Sequence, residues 1–194
     1  MKRLLKKNKG FTLVELMVTI GIFVLMTGLL LAKYTNFNQG IILTNLAYDV
    51  ALSIRSAQSY GLNVKSAPTE SINFSDEFKS AYGVNFTKDT SSFYSFVDKD
   101  RNGELHGADT IISTTNIKRG SKVSDLCVSN SESNCDTVTS LDISFERPNP
   151  VAKIYSGGDK YNYAKITLSS SDGSKKTVII RSTGQIAVES GIVK

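Results

Sequence analysis

The apolar run from Phe11 to Ala32 is the feature that most constrains this chain. It reads FTLVELMVTIGIFVLMTGLLLA, and its 22 residues contain a single charged side chain, Glu15. At a rise of about 1.5 Å per residue, a helix of this length crosses the roughly 30 Å hydrocarbon core of a bilayer. A buried core helix is the alternative, but such helices are seldom this long and apolar on every face. The run therefore predicts a transmembrane helix over residues 11–32.

Basic residues are concentrated in front of this run. The first ten residues hold five of the 23 Lys and Arg residues, and the other 18 balance 18 acidic residues. The net charge of +5 therefore belongs to the N-terminus, which argues against a nucleic-acid-binding surface spread over the chain. Because only Lys33 follows the run directly, the distribution of Lys and Arg predicts a cytoplasmic N-terminus and an exported remainder.

The segments follow an order that an ordinary secretory signal does not have. A small residue, Gly10, precedes the apolar run, and no A-x-A-like site closes it between residues 28 and 33. A cut between Gly10 and Phe11 would remove residues 1–10 as a leader peptide. It would keep the helix as part of the mature protein.

The segment KGFTLVEL, Lys9–Leu16, resembles the class III signal of type IV pilins and type II secretion pseudopilins. The resemblance implies cleavage after Gly10 by a prepilin peptidase, which also N-methylates Phe11. It implies that other pilin or pseudopilin subunits are the partners. The expected location is the inner (cytoplasmic) membrane, as a single-pass protein, and then a periplasmic or extracellular filament.

Glu15 is unusual on physical grounds as well. An ionised carboxylate inside a membrane helix costs about 2.5–3.5 kcal/mol on insertion scales, so such a residue usually has a partner and a function. No basic residue lies within the run, so the partner must be another chain or the α-amino group freed by cleavage. In the family it is the amine of the adjacent subunit. A tolerated carboxylate near the membrane interface is the alternative.

Residues 33–66 are predicted to continue the helix in amphipathic form. Leu43, Leu46, Val50, Ile54, Ala57 and Gly61 recur at spacings of three and four, whereas Asn45, Asp49, Ser53 and Ser56 fall on the other side. Gly61 and then Pro68 are expected to end it.

Residues 67–194 change to period two and to strand-forming residues. Many short strands with turn signals predict an exported β-rich domain, and Ser171-Asp172-Gly173 reads as a hairpin turn. The fold class predicted is α+β, a long N-terminal helix packed on a C-terminal antiparallel β-sandwich. The predicted strands are Tyr82–Thr87, Phe93–Val97, Thr110–Ile117, Val123–Val128, Leu141–Glu146, Ala164–Ser169, Lys176–Arg181 and Gln185–Val188.

The C-terminal part resembles the GspH/FimT family of pseudopilins and minor pilins. The residues that carry this resemblance are Ile143-Ser-Phe145, Arg147-Pro148, Ile166-Thr-Leu168, Lys176–Arg181 and Gly184-Gln-Ile186. That family joins the long helix to a two-sheet β domain. A major pilin or another class of minor pilin is the alternative.

The segment Asp98–Asp109 matches the calcium-loop template D-x-D-x-N-G through its sixth position. Oxygen side chains at alternate positions can converge on one hard cation, and Gly103 permits the turn between them. The flanking runs read as strands, so this is not an EF-hand, and a polar hairpin turn is the alternative. His106, the single histidine, is expected to be a solvated loop residue. The candidate calcium ligands are Asp98, Asp100, Asn102, Glu104 and Asp109.

Cys127 and Cys135 are the only cysteines, and the predicted topology places both outside the cytoplasm. An exported pair of this kind usually forms a disulfide. Two free thiols are the alternative.

No combination of residues predicts catalysis. The chain has one histidine and lacks G-x-S-x-G, H-E-x-x-H and a phosphate-binding glycine loop, so we expect no enzyme, and a membrane-anchored enzyme using carboxylates alone is the remote alternative. A DNA-binding minor pilin acting in DNA uptake is a further alternative, because residues 147–194 hold eight basic and three acidic residues. The DNA-binding relatives carry an arginine-rich tail near the last glycine, and Gly184–Glu189 contains no arginine. We therefore do not expect DNA to be a partner.

Overall fold

The computed structural model describes residues 10–63, 80–131 and 134–190, except for the side chains of 32–38 and 190. Contacts between residues divide the chain into two units, Met1–Asn38 and Gln39–Lys194. Helix α1 spans Leu13–Leu62 and contributes to both units. The antiparallel strands all belong to the second unit, so the α+β class predicted from the sequence is confirmed.

Eleven strands follow α1 in the described residues. They form a six-stranded sheet in the order β3-β2-β1-β6-β7-β8 and a five-stranded sheet in the order β11-β10-β9-β4-β5. The strands are β1 Ala81–Thr87, β2 Ser92–Asp98, β3 Thr110–Asn116, β4 Lys122–Ser129, β5 Asp136–Val138, β6 Ser140–Phe145, β7 Ala152–Ser156, β8 Asp159–Tyr161, β9 Tyr163–Ser169, β10 Lys175–Arg181 and β11 Ile186–Ser190.

Strand register places apolar residues opposite one another on the inner face of each sheet. In the six-stranded sheet Val84 pairs with Ile143, and in the five-stranded sheet Ile166 pairs with Val178. All four side chains are fully buried. Because side chains alternate between faces along a strand, one matched pair fixes the rest of the apolar face.

The core joins both sheets to the second half of α1. Six buried helix residues belong to the same apolar cluster as the inner faces of the sheets, namely Leu43, Ala47, Val50, Ala51, Ile54 and Ala57. The predicted inward positions in this stretch are buried or half-buried, and of the predicted outward positions Asn45 and Asp49 are exposed while Ser53 and Ser56 are half-buried. The sequence therefore predicts the buried face of this helix but not its full width.

Gly61 lies one residue before the end of α1, as the sequence leads one to expect, and it also has a packing role. A Cβ atom added to it would lie 2.4 Å from the carbonyl oxygen of Phe145 on β6. Glycine is therefore required here because helix and strand approach closely, which the sequence does not reveal. The helix ends at Leu62, before the predicted boundary at 66, and residues 64–66 and Pro68 lie outside the described residues.

The eight predicted strands correspond to observed strands within one or two residues, and three strands were missed. Strands β5 and β8 have three residues each, which is too short for a period of two to show. Strand β7 has only two buried apolar residues, Ala152 and Ile154, between proline and glycine signals that favour a loop. The hairpin at Ser171-Asp172-Gly173 is confirmed, since it joins the paired strands β9 and β10 and Gly173 has a φ of 84°.

Candidate functional site

The first part of α1 has an apolar surface. Over Leu13–Leu31 the mean hydropathy is 2.3, and none of these residues is buried by the residues that the structure describes. Soluble proteins rarely expose contiguous apolar patches of more than a few hundred Å². Such a surface fits the anchoring of this helix in a membrane.

The peptide bond between Gly10 and Phe11 lies outside the helix. Both residues are exposed, and α1 begins only at Leu13. The Thr12 hydroxyl accepts a hydrogen bond from the N–H of Glu15 at 3.3 Å, which is the arrangement of an N-cap. The sequence analysis missed this role of Thr12, although a threonine three positions before a glutamate is the signature of a capping box.

Glu15 lies in the first turn of α1 with its side chain exposed. Its negative charge is favourable there, because the N-terminus of a helix carries a partial positive charge. Within the parts of the chain that the structure describes, no recorded hydrogen bond or ion pair involves its carboxylate. A partner for this charge must therefore be sought outside residues 10–63, 80–131 and 134–190.

The second site is the loop between β2 and β3. Asp98 ends β2, and Asp109 directly precedes β3. The structure brings the carboxylates of Asp98, Asp100 and Asp109 together, with one oxygen of each within 4.8 Å of the others. These are three of the five ligands that the sequence predicts.

The other two candidate ligands are engaged differently. The Asn102 side-chain oxygen accepts a hydrogen bond from the N–H of Glu104 at 2.8 Å, and its amide donates to the Asp100 carboxylate at 2.8 Å. The Glu104 carboxylate accepts a hydrogen bond from the N–H of Gly158 at 2.8 Å. Glu104 is therefore tied to the turn between β7 and β8 and is not among the three clustered carboxylates. His106 is exposed, as expected for a loop residue.

Asp98 is the unusual member of the cluster, because its side chain is completely buried. Its Oδ2 atom accepts a hydrogen bond from the N–H of Gly103 at 2.9 Å. Its Oδ1 atom is buried with no hydrogen-bond partner among the described residues. Burial raises the pKa of Asp98 to about 6, the neighbouring Asp100 carboxylate adds to the rise, and the Gly103 N–H opposes it.

The loop folds back over the outer face of the six-stranded sheet. The N–H of Leu105 donates to the carboxylate of Asp142 on β6 at 3.2 Å, and the Tyr155 ring of β7 lies against Gly103. Asn85 on β1 also donates to Asp142, at 2.8 Å. The central strands are therefore covered on both faces, by the core on one side and by this loop on the other.

Sequence reasoning missed Asp142. It lies between the buried residues Leu141 and Ile143, a position that alternation assigns to a solvated face. Because the loop covers that face, Asp142 is buried, and burial raises its pKa to about 6 against the hydrogen bonds from Asn85 and Leu105. The local sequence held no signal for this burial, because Asp142 occupies a regular polar position of an alternating strand.

The two cysteines are joined in the structure by a disulfide. Cys127 lies on β4, Cys135 directly precedes β5, and their Cα atoms are 5.5 Å apart, a normal separation for a bridge. The link connects two strands that pair at the edge of the five-stranded sheet. The oxidised state of the pair in the cell envelope stays a prediction, which intact-mass analysis after alkylation under non-reducing conditions tests.

Comparison with known proteins identifies the N-terminal segment alone. Residues 5–31 match the family described as the prokaryotic N-terminal methylation motif. No curated protein and no solved structure matches the chain. The motif supports a type IV pilin-like precursor and a structural rather than an enzymatic role, and the apolar helix fits membrane anchoring of such a protein.

Proposed function

We propose that this chain is a minor pilin or pseudopilin, a structural subunit of a type IV pilus or of a type II secretion filament. The observation that carries the proposal is Glu15, a single charge in an exposed apolar helix, five residues after a glycine outside that helix. The methylation motif over residues 5–31 contains all of these features. Which of the two kinds of filament it serves is an open alternative.

Processing follows from the arrangement of the N-terminus. The five basic residues of the leader hold it in the cytoplasm, so a prepilin peptidase would cut after Gly10 at the cytoplasmic face. The cut removes those charges and leaves Phe11 as the new N-terminus, which the same enzyme would methylate. The new α-amino group lies four residues before Glu15 in the chain.

Assembly would then rest on a pair of opposite charges. A carboxylate in hydrocarbon costs about 2.5–3.5 kcal/mol when it is alone, and the amino terminus of a neighbouring subunit offers it a partner. The apolar surface of Leu13–Leu31 is covered once helices pack side by side. A buried charge that loses its partner destabilises the assembly. Subunits should therefore adopt the stagger that keeps the two charges together.

The second unit supports the narrower assignment to the GspH/FimT type. Three of the motif segments lie on strands, with Ile143–Phe145 on β6, Ile166–Leu168 on β9 and Lys176–Arg181 on β10, and Arg147-Pro148 lies in the turn after β6. Gly184 has a φ of 86°, and an added Cβ would lie 2.3 Å from the carbonyl oxygen of Pro150. The two-sheet domain on a long helix is the arrangement that the resemblance implies.

Two substitutions separate processing from assembly. Gly10→Val should block the cut and leave the full-length protein in the inner membrane with its β domain folded. Glu15→Leu should be cut normally but enter filaments poorly, because the apolar surface is retained while the charge pair is lost. N-terminal sequencing of membrane and sheared filament fractions measures both effects.

Val14→Leu is the matched control, since it changes the exposed neighbour of Glu15 without changing charge. It should be cut and assembled as the unchanged protein is. A mature protein that begins at Met1 would contradict the proposed processing. Normal assembly of Glu15→Leu would contradict the proposed role of the charge pair.

A further inference from the structure

The buried Oδ1 atom of Asp98 is the starting point. A buried carboxylate oxygen without a hydrogen-bond donor has lost its hydration without gaining a hydrogen bond. This loss lowers the stability of the folded protein. Its neighbours make the cost larger, because one oxygen of the Asp98 carboxylate lies within 4.8 Å of an oxygen of Asp100 and of Asp109, and all three groups carry the same charge. Among the described residues no lysine or arginine forms an ion pair with any of the three.

The three carboxylates have the spacing that one cation would need. Calcium binds oxygen ligands at about 2.3–2.6 Å, so two oxygens on the same ion are at most about 5 Å apart. The observed limit of 4.8 Å between the clustered oxygens satisfies this condition without any movement of the loop. We propose that Asp98, Asp100 and Asp109 form a calcium site that joins the end of β2 to the start of β3.

The chemistry of the ligands selects the metal. All three are carboxylates, and the group contains neither cysteine nor histidine, which favours a hard cation over zinc. Three carboxylates leave several positions for water and backbone carbonyls, which suits the six to eight ligands of calcium. Magnesium requires a near-ideal octahedron and keeps several of its waters, so it should bind this site more weakly.

The loop is built to hold these ligands in place when the ion is absent. Both oxygens of Asp109 accept backbone hydrogen bonds, from Lys99 at 3.0 Å and from His106 at 2.8 Å. Asp100 accepts one from the N–H of Asn102 at 3.2 Å. Only Asp98 retains a buried oxygen without a partner. The ion would therefore complete a site whose geometry the loop already fixes.

Calcium binding would fasten the loop to the sheet. Asp98 and Asp109 flank the loop, which covers Asp142 on the outer face of the six-stranded sheet. Strand β3, which follows Asp109, is one of the two edge strands of that sheet and is largely exposed. An ion between these residues would resist separation of β3 from β2, so binding should appear as stabilisation of the folded domain.

The test is thermal unfolding of the full chain in detergent micelles, with EGTA, with calcium and with magnesium. Calcium at about 100 times its dissociation constant should raise the melting temperature by about 5 °C or more. Magnesium at equal concentration should raise it less. Asp100→Ala should lose most of the calcium-dependent rise. It should still fold, because Asp100 is exposed.

Asp172→Ala is the matched control. Asp172 is an exposed carboxylate in the turn between β9 and β10, and it accepts a hydrogen bond from the N–H two residues later, as Asp100 does. The variant removes the same kind of turn contact at a place where no carboxylates cluster. It should keep the full calcium-dependent rise.

Asp98→Asn distinguishes calcium binding from a purely structural role of the loop, because its effect on the melting temperature should depend on calcium. Without calcium it should raise the melting temperature, since one of three like charges is removed and an amide donor is supplied. With calcium it should gain much less than the unchanged protein. Two results would overturn the proposal: a melting temperature indifferent to about 10 mM calcium, the upper end for weak protein sites, or an equal rise in Asp100→Ala.

Discussion

Two stretches of one helix meet very different surroundings. The apolar segment, Leu13–Leu31, has large aliphatic and aromatic side chains on every side, and the described residues bury none of it. The packed segment, Gln39–Leu62, buries one face that is rich in alanine and ends at Gly61. Small side chains let sheets approach a helix closely, whereas large ones on all sides leave no polar face for water. The comparison teaches that the second segment is built to pack in a core and that the first is built for an apolar environment.

The largest difference should come from the same truncation in each segment. Leu43→Ala removes a side chain that is 1% exposed, and such changes cost about 2–5 kcal/mol of unfolding free energy. Leu25→Ala removes one that is 71% exposed and should leave the stability of the β domain unchanged. Pulse proteolysis of the full chain in detergent across a urea series measures both. Equal losses would break the comparison.

The pH dependence of stability also distinguishes the two units, because Asp142 in the second unit is buried and Glu15 in the first is exposed. Asp142 has a pKa of about 6 in the folded domain against 3.8 as its ordinary value, so the folded state holds its proton more tightly. Stability should therefore fall as pH rises from about 4 to about 6, by up to about 3 kcal/mol, and the contribution is fully present only below that window. In EGTA, Asp142→Asn should reduce the dependence of stability on pH. Asp98, with a pKa also near 6, should contribute a further part of that dependence.

Glu15→Gln is the control for this pH dependence. Glu15 is exposed and belongs to the first unit, so the slope measured for unfolding of the β domain should be unchanged. Because the chain has eight tyrosines and no tryptophan, near-ultraviolet circular dichroism of the tyrosines follows unfolding of the β domain. A slope that Asp142→Asn leaves intact would show that the burial of Asp142 does not carry the effect.

The smallest difference should come from two glycines. Gly61→Ala forces a Cβ to within 2.4 Å of the Phe145 carbonyl oxygen and should cost about 1–3 kcal/mol through overpacking. Alanine favours helices by about 1 kcal/mol over glycine, which offsets part of that loss. Gly28→Ala meets nothing within 4 Å and should leave domain stability unchanged. Urea unfolding measures both changes in stability. A Gly61→Ala variant more stable than the parent would contradict the close approach of α1 to β6 at Gly61.

Much of the fold could be predicted because its signals are local. Local periodicity predicts which face of an element is buried but not which residues it contacts. This holds for the helical spacing of Val50, Ile54 and Ala57 and for the alternation of Leu141, Ile143 and Phe145. Strand β7 was missed because its short pattern lies between breaking residues, and its partner β6 supplies the evidence that the local pattern lacks. The candidate site was predicted in part, since the template gave Asp98, Asp100 and Asp109 but also Glu104, which turns towards Gly158.

By itself the sequence determined the pattern of the N-terminus: the apolar run, the single charge at Glu15, the five basic residues before the run and the glycine between them and the helix. These are properties of composition and order, and they do not depend on which residues meet in space. The tertiary structure alone decided that Gly61 is a contact point, that Asp142 is buried and that Asp98 keeps an oxygen without a partner. Each of these depends on residues distant in the chain, because the loop between β2 and β3 covers one face of the sheet while the helix covers the other.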